Sequence, residues 1–387
     1  MSHLLLLAAL VPSALAALTL RLFNKSFVEQ AGARCLDGSP SGYYIERGDP
    51  SRFVVFLQGG GACYTPADCG ARAKTALGTS TVWAPSLTDA DNVLSADPAV
   101  NPFASFTRVF VPYCSGDVHL GTRTSVVGAG FPLFFAGHLT VAAVVAELRA
   151  AEALGAAAQL LLSGSSAGGI GTIVNADFVA AQLPRVEVRA APQGGWFFPA
   201  VVNFSAWRGD PNGGPPFAGQ GSPAMALWEA YLQPACVAAR GRAYCASVNF
   251  AFPYVATPMH VCENQMDSNQ LFAQLGVPHN YSDPLALRYV AYFQDRMRSG
   301  LAQVAASPRA ALFAPACVAH TENTNFAART RVHSAGRDFS YKDSIAAWWF
   351  GAPKGVPRAL VDACDGVACN PTCPPLGKVE AGAGGWA

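Results

Sequence analysis

Neither charge is in excess in this chain. Its 387 residues carry 26 Lys+Arg against 25 Asp+Glu, a formal net charge of +1, and only 13% of residues are charged. A nucleic-acid-binding protein usually shows a basic excess, so a general role of that kind is excluded. Disorder is excluded too, because 51% of the residues are hydrophobic, far too many for a chain without a core. The glycines have no three-residue period, so the chain is not collagenous. No internal repeat of roughly 20–50 residues is visible, which argues against solenoids and propellers. No uncharged apolar run reaches the about 20 residues that span a bilayer. Residues 4–11 are apolar but too few, and the Ala-rich stretch 139–163 contains Glu147, Arg149 and Glu152, which are costly at mid-membrane. Stable membrane insertion is not expected.

Cysteine, by contrast, is plentiful. A chain of this length buries a large core without cross-links, so its 11 cysteines point to an oxidising compartment. The N-terminus agrees. Leu4–Val11 followed by Ala14-Leu15-Ala16 has the form of a secretory signal peptide spanning residues 1–16, with cleavage expected after Ala16. Asn24, Asn203 and Asn280 each begin an N-x-S sequon and are candidate glycosylation sites. An odd cysteine count leaves at least one free or paired between chains. The tail spacing Cys364-x4-Cys369-x3-Cys373 is superficially zinc-like. It lacks a second paired half, so disulfides are expected there and no metal.

Apolar strand-like runs alternate with helical patterns, which predicts an α/β fold with a mainly parallel sheet flanked by helices. Strands are expected at 52–57, 106–111, 160–163 and 186–190. Helices are expected at 141–153, 170–183, 223–247 and 285–304, and a Gly/Pro-rich loop at 208–222. No linker is visible, so residues 17–375 are expected to form one catalytic domain. Cys373 onward is Pro/Gly/Ala-rich and expected to fray, with residues 376–387 as a flexible tail.

The sharpest motif is Gly164-Ser165-Ser166-Ala167-Gly168. In a G-x-S-x-G elbow the central serine sits on a strained strand-to-helix turn, and small residues on both sides let backbones approach closely. The apolar strand before it and the helix after it supply the right context, and the helix N-terminus favours a developing oxyanion. Ser166 is the nucleophile candidate. An oxyanion hole needs one N–H from the next residue, Ala167, and another from a glycine-rich loop after an earlier strand. Gln58-Gly59-Gly60-Gly61-Ala62-Cys63 has that position, and no Gly-Lys-Ser/Thr follows to make it a phosphate loop. In this fold the acid and then the histidine follow the serine. His260, His279, His320 and His333 qualify by order, as do Asp210, Glu229, Glu263, Asp267, Asp283 and Asp295. Spacing alone does not choose among them.

Several blocks in order resemble the pectin acetylesterase/Notum carboxylesterase family. They are Gly59–Cys63, Tyr113-Cys114-Ser115-Gly116-Asp117, Phe134–His138, Ser163–Gly169, Asn175-Ala176-Asp177, Gln265–Gln270, Ala316–His320 and Cys369-Asn370-Pro371-Thr372-Cys373. The resemblance covers about residues 20–375. The resemblance implies an α/β-hydrolase-like fold with disulfide-stapled loops. It implies Ser166 as nucleophile, Asp267 as acid and His320 as general base. Gly60, Gly61 and Ala167 become the oxyanion donors, and Cys35–Cys114 and Cys63–Cys69 become disulfides. No cofactor is implied.

The chain also departs from the family. Gly61 stands where the Notum branch often has an aromatic residue, and Ala136 where an Arg is frequent. Pro192–Phe197 lacks the acidic residue often seen before the Gly-aromatic segment. These departures spare the three catalytic positions and bear on substrate choice. The Cys-Asn-Pro-Thr-Cys tail leans towards the plant-type pectin acetylesterase branch. The implied function is a secreted serine carboxylesterase acting as a monomer on an acetylated polysaccharide such as pectin. The alternatives are a Notum-like deacylase of a lipidated secreted protein and a silent binding protein on a hydrolase scaffold. Trp196, Phe197 and Phe198 are candidates for an acyl pocket, with core packing as their bland alternative. His119 beside Asp117 is expected to be structural or a substrate wall, and Asp177 a buried brace.

Overall fold

A computed structural model describes residues 17–88, 92–128, 130–198, 203–207 and 221–376. The expected signal peptide, Asp210 and most of the 208–222 loop lie outside these residues, as does the tail beyond residue 376.

Ten strands form the main sheet. In chain order they are β1 (Leu18–Leu22), β2 (Gly42–Glu46), β3 (Asp49–Leu57), β4 (Ser86–Leu87), β5 (Phe106–Val111), β6 (Gln159–Ser165), β7 (Glu187–Gln193), β8 (Met259–Cys262), β9 (Ala310–Ala314) and β10 (Ala359–Val361). Their spatial order is β10-β9-β8-β7-β6-β3-β5-β2-β1-β4. The seven from β10 to β5 are mutually parallel, and β2, β1 and β4 add an antiparallel edge.

The strands lie where continuous apolar runs predicted them, because a parallel strand is covered on both faces. Alternate residues serve opposite sides. Val55, Leu57, Leu160 and Leu162 pack beneath α1 (Gly137–Ala151) and α2 (Ala167–Gln182). Val54, Phe56, Leu161 and Phe313 pack against α4 (Tyr341–Phe350) on the other face. α3 (Pro284–Ala306) starts cleanly because Asp283 accepts the Leu285 N–H and Pro284 occupies the first turn. Its Tyr289, Val290, Phe293, Met297, Leu301 and Val304 recur at helical spacing and are buried.

Two expectations change. The helix expected over 223–247 is three short ones, Gly221–Leu227, Pro234–Arg240 and Arg242–Cys245. Pro234 begins a new helix, and Gly241 at φ 82° breaks it from the next. The fraying expected from Cys373 onward does not begin there, since Cys373 is bonded to Cys317. Five disulfides are present: Cys35–Cys114, Cys63–Cys69, Cys236–Cys245, Cys317–Cys373 and Cys364–Cys369. The tail cysteines with zinc-like spacing are thus all cross-linked. The odd thiol is Cys262, buried at the end of β8. No helix among the described residues is long and apolar enough to cross a membrane.

Candidate active site

Every element of the site leaves the sheet at the carboxyl end of a parallel strand, where α/β sheets place their ligands. Ser166 follows β6 and precedes α2. Its φ of 54° and ψ of −118° lie outside the ordinary regions for a residue with a side chain. Close packing holds it there. A Cβ on Gly164 would stand 2.5 Å from the Gly168 carbonyl oxygen, and a Cβ on Gly168 only 1.9 Å from that of Leu57. The Ser166 N–H donates to the Gln193 carbonyl at 2.8 Å, tying the elbow to β7.

The glycine loop after β3 lies against the elbow. A Cβ on Gly59 would come within 2.7 Å of the Ser165 carbonyl oxygen and 3.1 Å of Ser166 Cβ. Gly60 and Gly61 have φ of 137° and 67°, which few other residues adopt. Arg72 holds the turn: its guanidinium donates to the Gly60 carbonyl at 2.6 Å and to the Leu77 carbonyl at 3.2 Å. It also lies over the Tyr113 ring, 5.1 Å from the centroid. Across a trans peptide, fixing the Gly60 carbonyl aims the Gly61 N–H in the opposite direction. Ala167 is the first residue of α2, so its N–H has no partner within the helix. The Cys63–Cys69 bridge closes the loop.

Asp267 follows β8 and His320 follows β9. A two-residue parallel pairing joins the two loops, with Met266 opposite Val318 and Asp267 opposite Ala319. Beside it, the Cys317–Cys373 bridge anchors the histidine loop. His320 Nδ1 lies 2.5 Å from Asp267 Oδ2, and Nε2 lies 2.8 Å from Ser166 Oγ. The Gln270 N–H donates to Asp267 Oδ1 at 2.8 Å. Asn264 Nδ2 donates to the His320 carbonyl at 2.8 Å, and the His320 N–H donates to Glu322 Oε2 at 2.6 Å. Burial lowers the pKa of His320, but the charge and hydrogen bond of Asp267 and the charge of Glu322 outweigh it. The result lies above the ordinary value of 6.5.

The structure sorts the histidines and acids that spacing left open. His260 is buried against Ser344, His279 lies against the Phe272 ring with the planes tilted, and His333 pairs with Asp338 on an exposed hairpin. Glu229 is bound to Arg123, Asp283 caps α3, and Asp295 is exposed. Only His320 among these histidines touches Ser166 in the described residues. His119 Nε2 instead lies 2.8 Å from the Gln58 carbonyl oxygen, and burial lowers its pKa to about 4. Asp117 accepts from Ser115, His119 and Gly137, fixing that loop from within. Asp177 is half-buried rather than buried, and accepts from Gln233, Ala256 and Thr257. Of the three candidate pocket aromatics, Trp196 packs on Phe252 and Phe198 on Phe293, both buried. Only Phe197 faces His320, edge to face at 6.0 Å. Asn24 and Asn280 are exposed and Asn203 is half-buried.

Sequence reasoning missed Arg72 as the holder of the glycine turn and weighed Glu263 only as a possible acid. Its signal was a polar cluster, Glu263-Asn264-Gln265, directly after an apolar strand. Gln265 braces the acid loop by donating to the Ala314 and Asp362 carbonyls and accepting from Arg298.

The pectinacetylesterase family model matches residues 17–374. Palmitoleoyl-protein carboxylesterase notum1' of Xenopus laevis is 33% identical over 384 residues, covering 92% of this chain and 74% of the relative. Pectin acetylesterase 4 of Arabidopsis thaliana is 26% identical over 377 residues, covering 92% of this chain and 87% of the relative. The solved structure of the Wnt deacylase Notum from Drosophila matches with a TM-score of 0.76 and 25% identity, covering 93% of this chain and 100% of that one. With its α/β-hydrolase-like sheet and its full-length match, the chain belongs to the pectinacetylesterase family and is an ester-hydrolysing enzyme.

Proposed function

We propose that the chain is a secreted serine carboxylesterase that removes acetyl groups from a cell-wall polysaccharide such as pectin. Ser166, His320 and Asp267 carry the reaction. The observation behind this reading is the unbroken contact from Ser166 Oγ through the imidazole to the Asp267 carboxylate, at 2.8 Å and 2.5 Å. With its proton on Nδ1 held by Asp267, the imidazole accepts the Ser166 proton at Nε2 as the oxygen attacks the ester carbonyl. The tetrahedral oxyanion is met by the Ala167 N–H and the amides of the Gly60–Gly61 turn. Each such donor is worth roughly 2.7–4 kcal/mol in the transition state. His320 then protonates the leaving alcohol, and water hydrolyses the acyl-enzyme with His320 again as base. No cofactor enters the scheme.

The acetyl assignment is supported by the use of Trp196 and Phe198 in the core, which leaves Phe197 as the one of the three beside His320. The second reading is a long-chain deacylase, favoured by the 33% identity to a palmitoleoyl-protein carboxylesterase. Hydrolysis of a short aryl acetate by wild type and Ser166→Ala tests the nucleophile, and equal rates would remove it. Comparing acetyl with octanoyl esters, and acetate release from pectin with that from xylan, separates the substrates. A strong octanoyl preference would overturn the polysaccharide reading. Five disulfides and the sequons at Asn24, Asn203 and Asn280 support secretion of a glycosylated chain. The intact mass of secreted material, before and after deglycosylation, tests glycosylation.

A further inference from the structure

His119 is a buried histidine that the proposed reaction does not use. It lies in the segment that follows β5 and is 1% exposed, so its ring does not line an open substrate site. Nε2 stands 2.8 Å from the Gln58 carbonyl oxygen. A carbonyl oxygen only accepts, so Nε2 carries a proton and donates it. The ring is therefore not a base for Ser166, whose Oγ contacts His320. The backbone around His119 is strained. Val118 and His119 have φ of 50° and 62°, consecutive left-handed values for residues with side chains, the first of them β-branched. Such geometry persists only where the surroundings impose it, and it clusters at functional sites.

Three hydrogen bonds impose it here. The Val118 N–H donates to Tyr113 Oη at 2.7 Å, the His119 N–H to Asp117 Oδ1 at 3.1 Å, and Asn175 Nδ2 to the His119 carbonyl at 3.0 Å. Packing adds to them. A Cβ on Gly171 would stand 2.7 Å from His119 Cβ, and one on Gly137 would stand 2.6 Å from His119 Cα. Gly171 and Asn175 belong to α2, whose first residue is Ala167. Gln58 begins the glycine turn after β3. His119 thus joins the two halves of the oxyanion hole: α2 holds its main chain, and its ring holds the turn. Gln58 is tied at its other groups as well. Its N–H donates to the Val111 carbonyl at 3.0 Å, and its Oε1 accepts from the Tyr113 N–H at 2.8 Å. His119 fixes the Gln58–Gly59 peptide, and Arg72 fixes the Gly60–Gly61 peptide. The peptide between them carries the Gly60 N–H and is held from both ends.

We propose that His119 is a positioning residue for the oxyanion hole: by donating from Nε2 to the Gln58 carbonyl it fixes the glycine turn against α2, so that the Gly60, Gly61 and Ala167 amides converge on one oxygen. This rests on the catalytic reading of Ser166 with those three residues as donors. Without the bond the turn shifts relative to α2, and the amides no longer meet the developing charge together.

Two variants separate the donor from the ring. His119→Phe keeps a ring beside Tyr113, where the wild-type centroids are 4.7 Å apart, and removes the donor. His119→Gln places an amide nitrogen near the position of Nε2 and restores a donor. Steady-state kinetics on a short aryl acetate and inhibition by a trifluoromethyl ketone are measured for wild type and both variants. Ser166 Oγ adds to the ketone carbon, its proton passes to His320, and the ketone oxygen becomes an oxyanion. Affinity for the ketone therefore reads the hole without turnover. His119→Phe is expected to lower kcat by about tenfold or more, below the roughly 10²–10³-fold cost of one lost donor, with KM within about twofold. The inhibition constant is expected to rise by the factor by which kcat/KM falls. His119→Gln is expected to stay within about threefold of wild type in both. A purely structural role would lower the melting temperature and leave kcat and the inhibition constant of the folded protein unchanged, which would overturn the proposal. Equal losses in His119→Gln and His119→Phe would overturn it too, because the donor would then not matter. Nitrogen-15 NMR of labelled histidine at neutral pH reads the bond directly. The ring signals present in wild type and missing from His119→Gln are expected to show the proton on Nε2. A proton on Nδ1 alone refutes the proposal even if His119→Phe does not fold. Should Ser166→Ala match wild type, the catalytic reading fails while the NMR result still decides whether His119 holds the Gln58 carbonyl.

Discussion

His260 sits in the strand that leads to Glu263 and Asp267, fully buried, with Nε2 2.8 Å from Ser344 Oγ and no partner at Nδ1 among the described residues. Burial lowers its pKa from 6.5 to about 3. Because the folded value lies below the unfolded one, the unfolded chain takes up a proton that the fold refuses. The stability associated with neutral His260 is therefore fully present above about pH 6.5 and falls as pH drops towards 3. Linkage puts the loss at about 1 kcal/mol by pH 5.5 and about 3 kcal/mol by pH 4.5. The second figure is a large share of a typical folding free energy of about 5–15 kcal/mol. Other groups titrate in the same range. His119 acts in the same sense, while the raised His320 and the buried Asp117 and Glu263 act oppositely. A comparison of wild type with His260→Gln cancels them. The glutamine keeps a polar partner for Ser344 and does not titrate. Denaturant unfolding of both proteins at pH 7.5, 6.5, 5.5 and 4.5 gives the stability gap at each pH. The gap is expected to narrow in favour of the variant by about 3 kcal/mol between pH 7.5 and 4.5. A gap constant across that range would refute the reasoning, because it would mean that His260 protonates as readily in the fold as out of it.

Three further outcomes follow from the site. The acid limb of wild-type kcat/KM should lie above the ordinary histidine value, since the folded pKa of His320 is raised and the base must be neutral; a limb below pH 6.5 in a pH–rate profile would contradict this. Arg72→Met should lower kcat by roughly tenfold with KM little changed, because it frees the Gly60 carbonyl and lets the Gly61 amide turn away. The ceiling is the roughly 10²–10³-fold cost of losing one oxyanion donor, and steady-state kinetics on an aryl acetate gives the split. Gly168→Ala should abolish labelling of Ser166 by a fluorophosphonate probe, since the new Cβ would meet the Leu57 carbonyl oxygen at 1.9 Å and displace the elbow.

The parts of the molecule that were legible in the sequence are those governed by local physics. A strand buried on both faces must be a continuous apolar run, so β3, β5, β6 and β7 announce themselves. The elbow announces itself because one strained backbone geometry demands small residues at fixed spacing, as the contacts of Gly164 and Gly168 show. The broken helices at 221–245 were misread for the same reason: alanine-rich composition is a weak prior, and it is overridden where Pro234, Gly241 and the Cys236–Cys245 bridge fold the chain back. Asp177, expected as a buried brace in the helix after the elbow, is only half-buried, and the backbone N–H groups of Ala256 and Thr257 reach it.

Choosing among the histidines was a different kind of problem. His260 and His320 both belong to strand-end segments with a neighbouring cysteine and nearby acids, and no periodicity separates them. Their fates diverge through one register. The side chain of His260, still within β8, points into the core against Ser344 and Trp348. His320 lies one residue beyond the short pairing of Met266–Asp267 with Val318–Ala319, where the chain has left the sheet and its ring can turn to Ser166. That pairing spans only two residues per strand and joins segments far apart in sequence, so nothing local encodes it. Ordered family blocks can point to Asp267 and His320 without explaining them. The explanation is tertiary: adjacent parallel strands β8 and β9 end side by side, and the Cys317–Cys373 bridge anchors the second loop where the first can pair with it. The cysteines that first mark an oxidising environment thus also hold one of the loops on which the proposed chemistry depends.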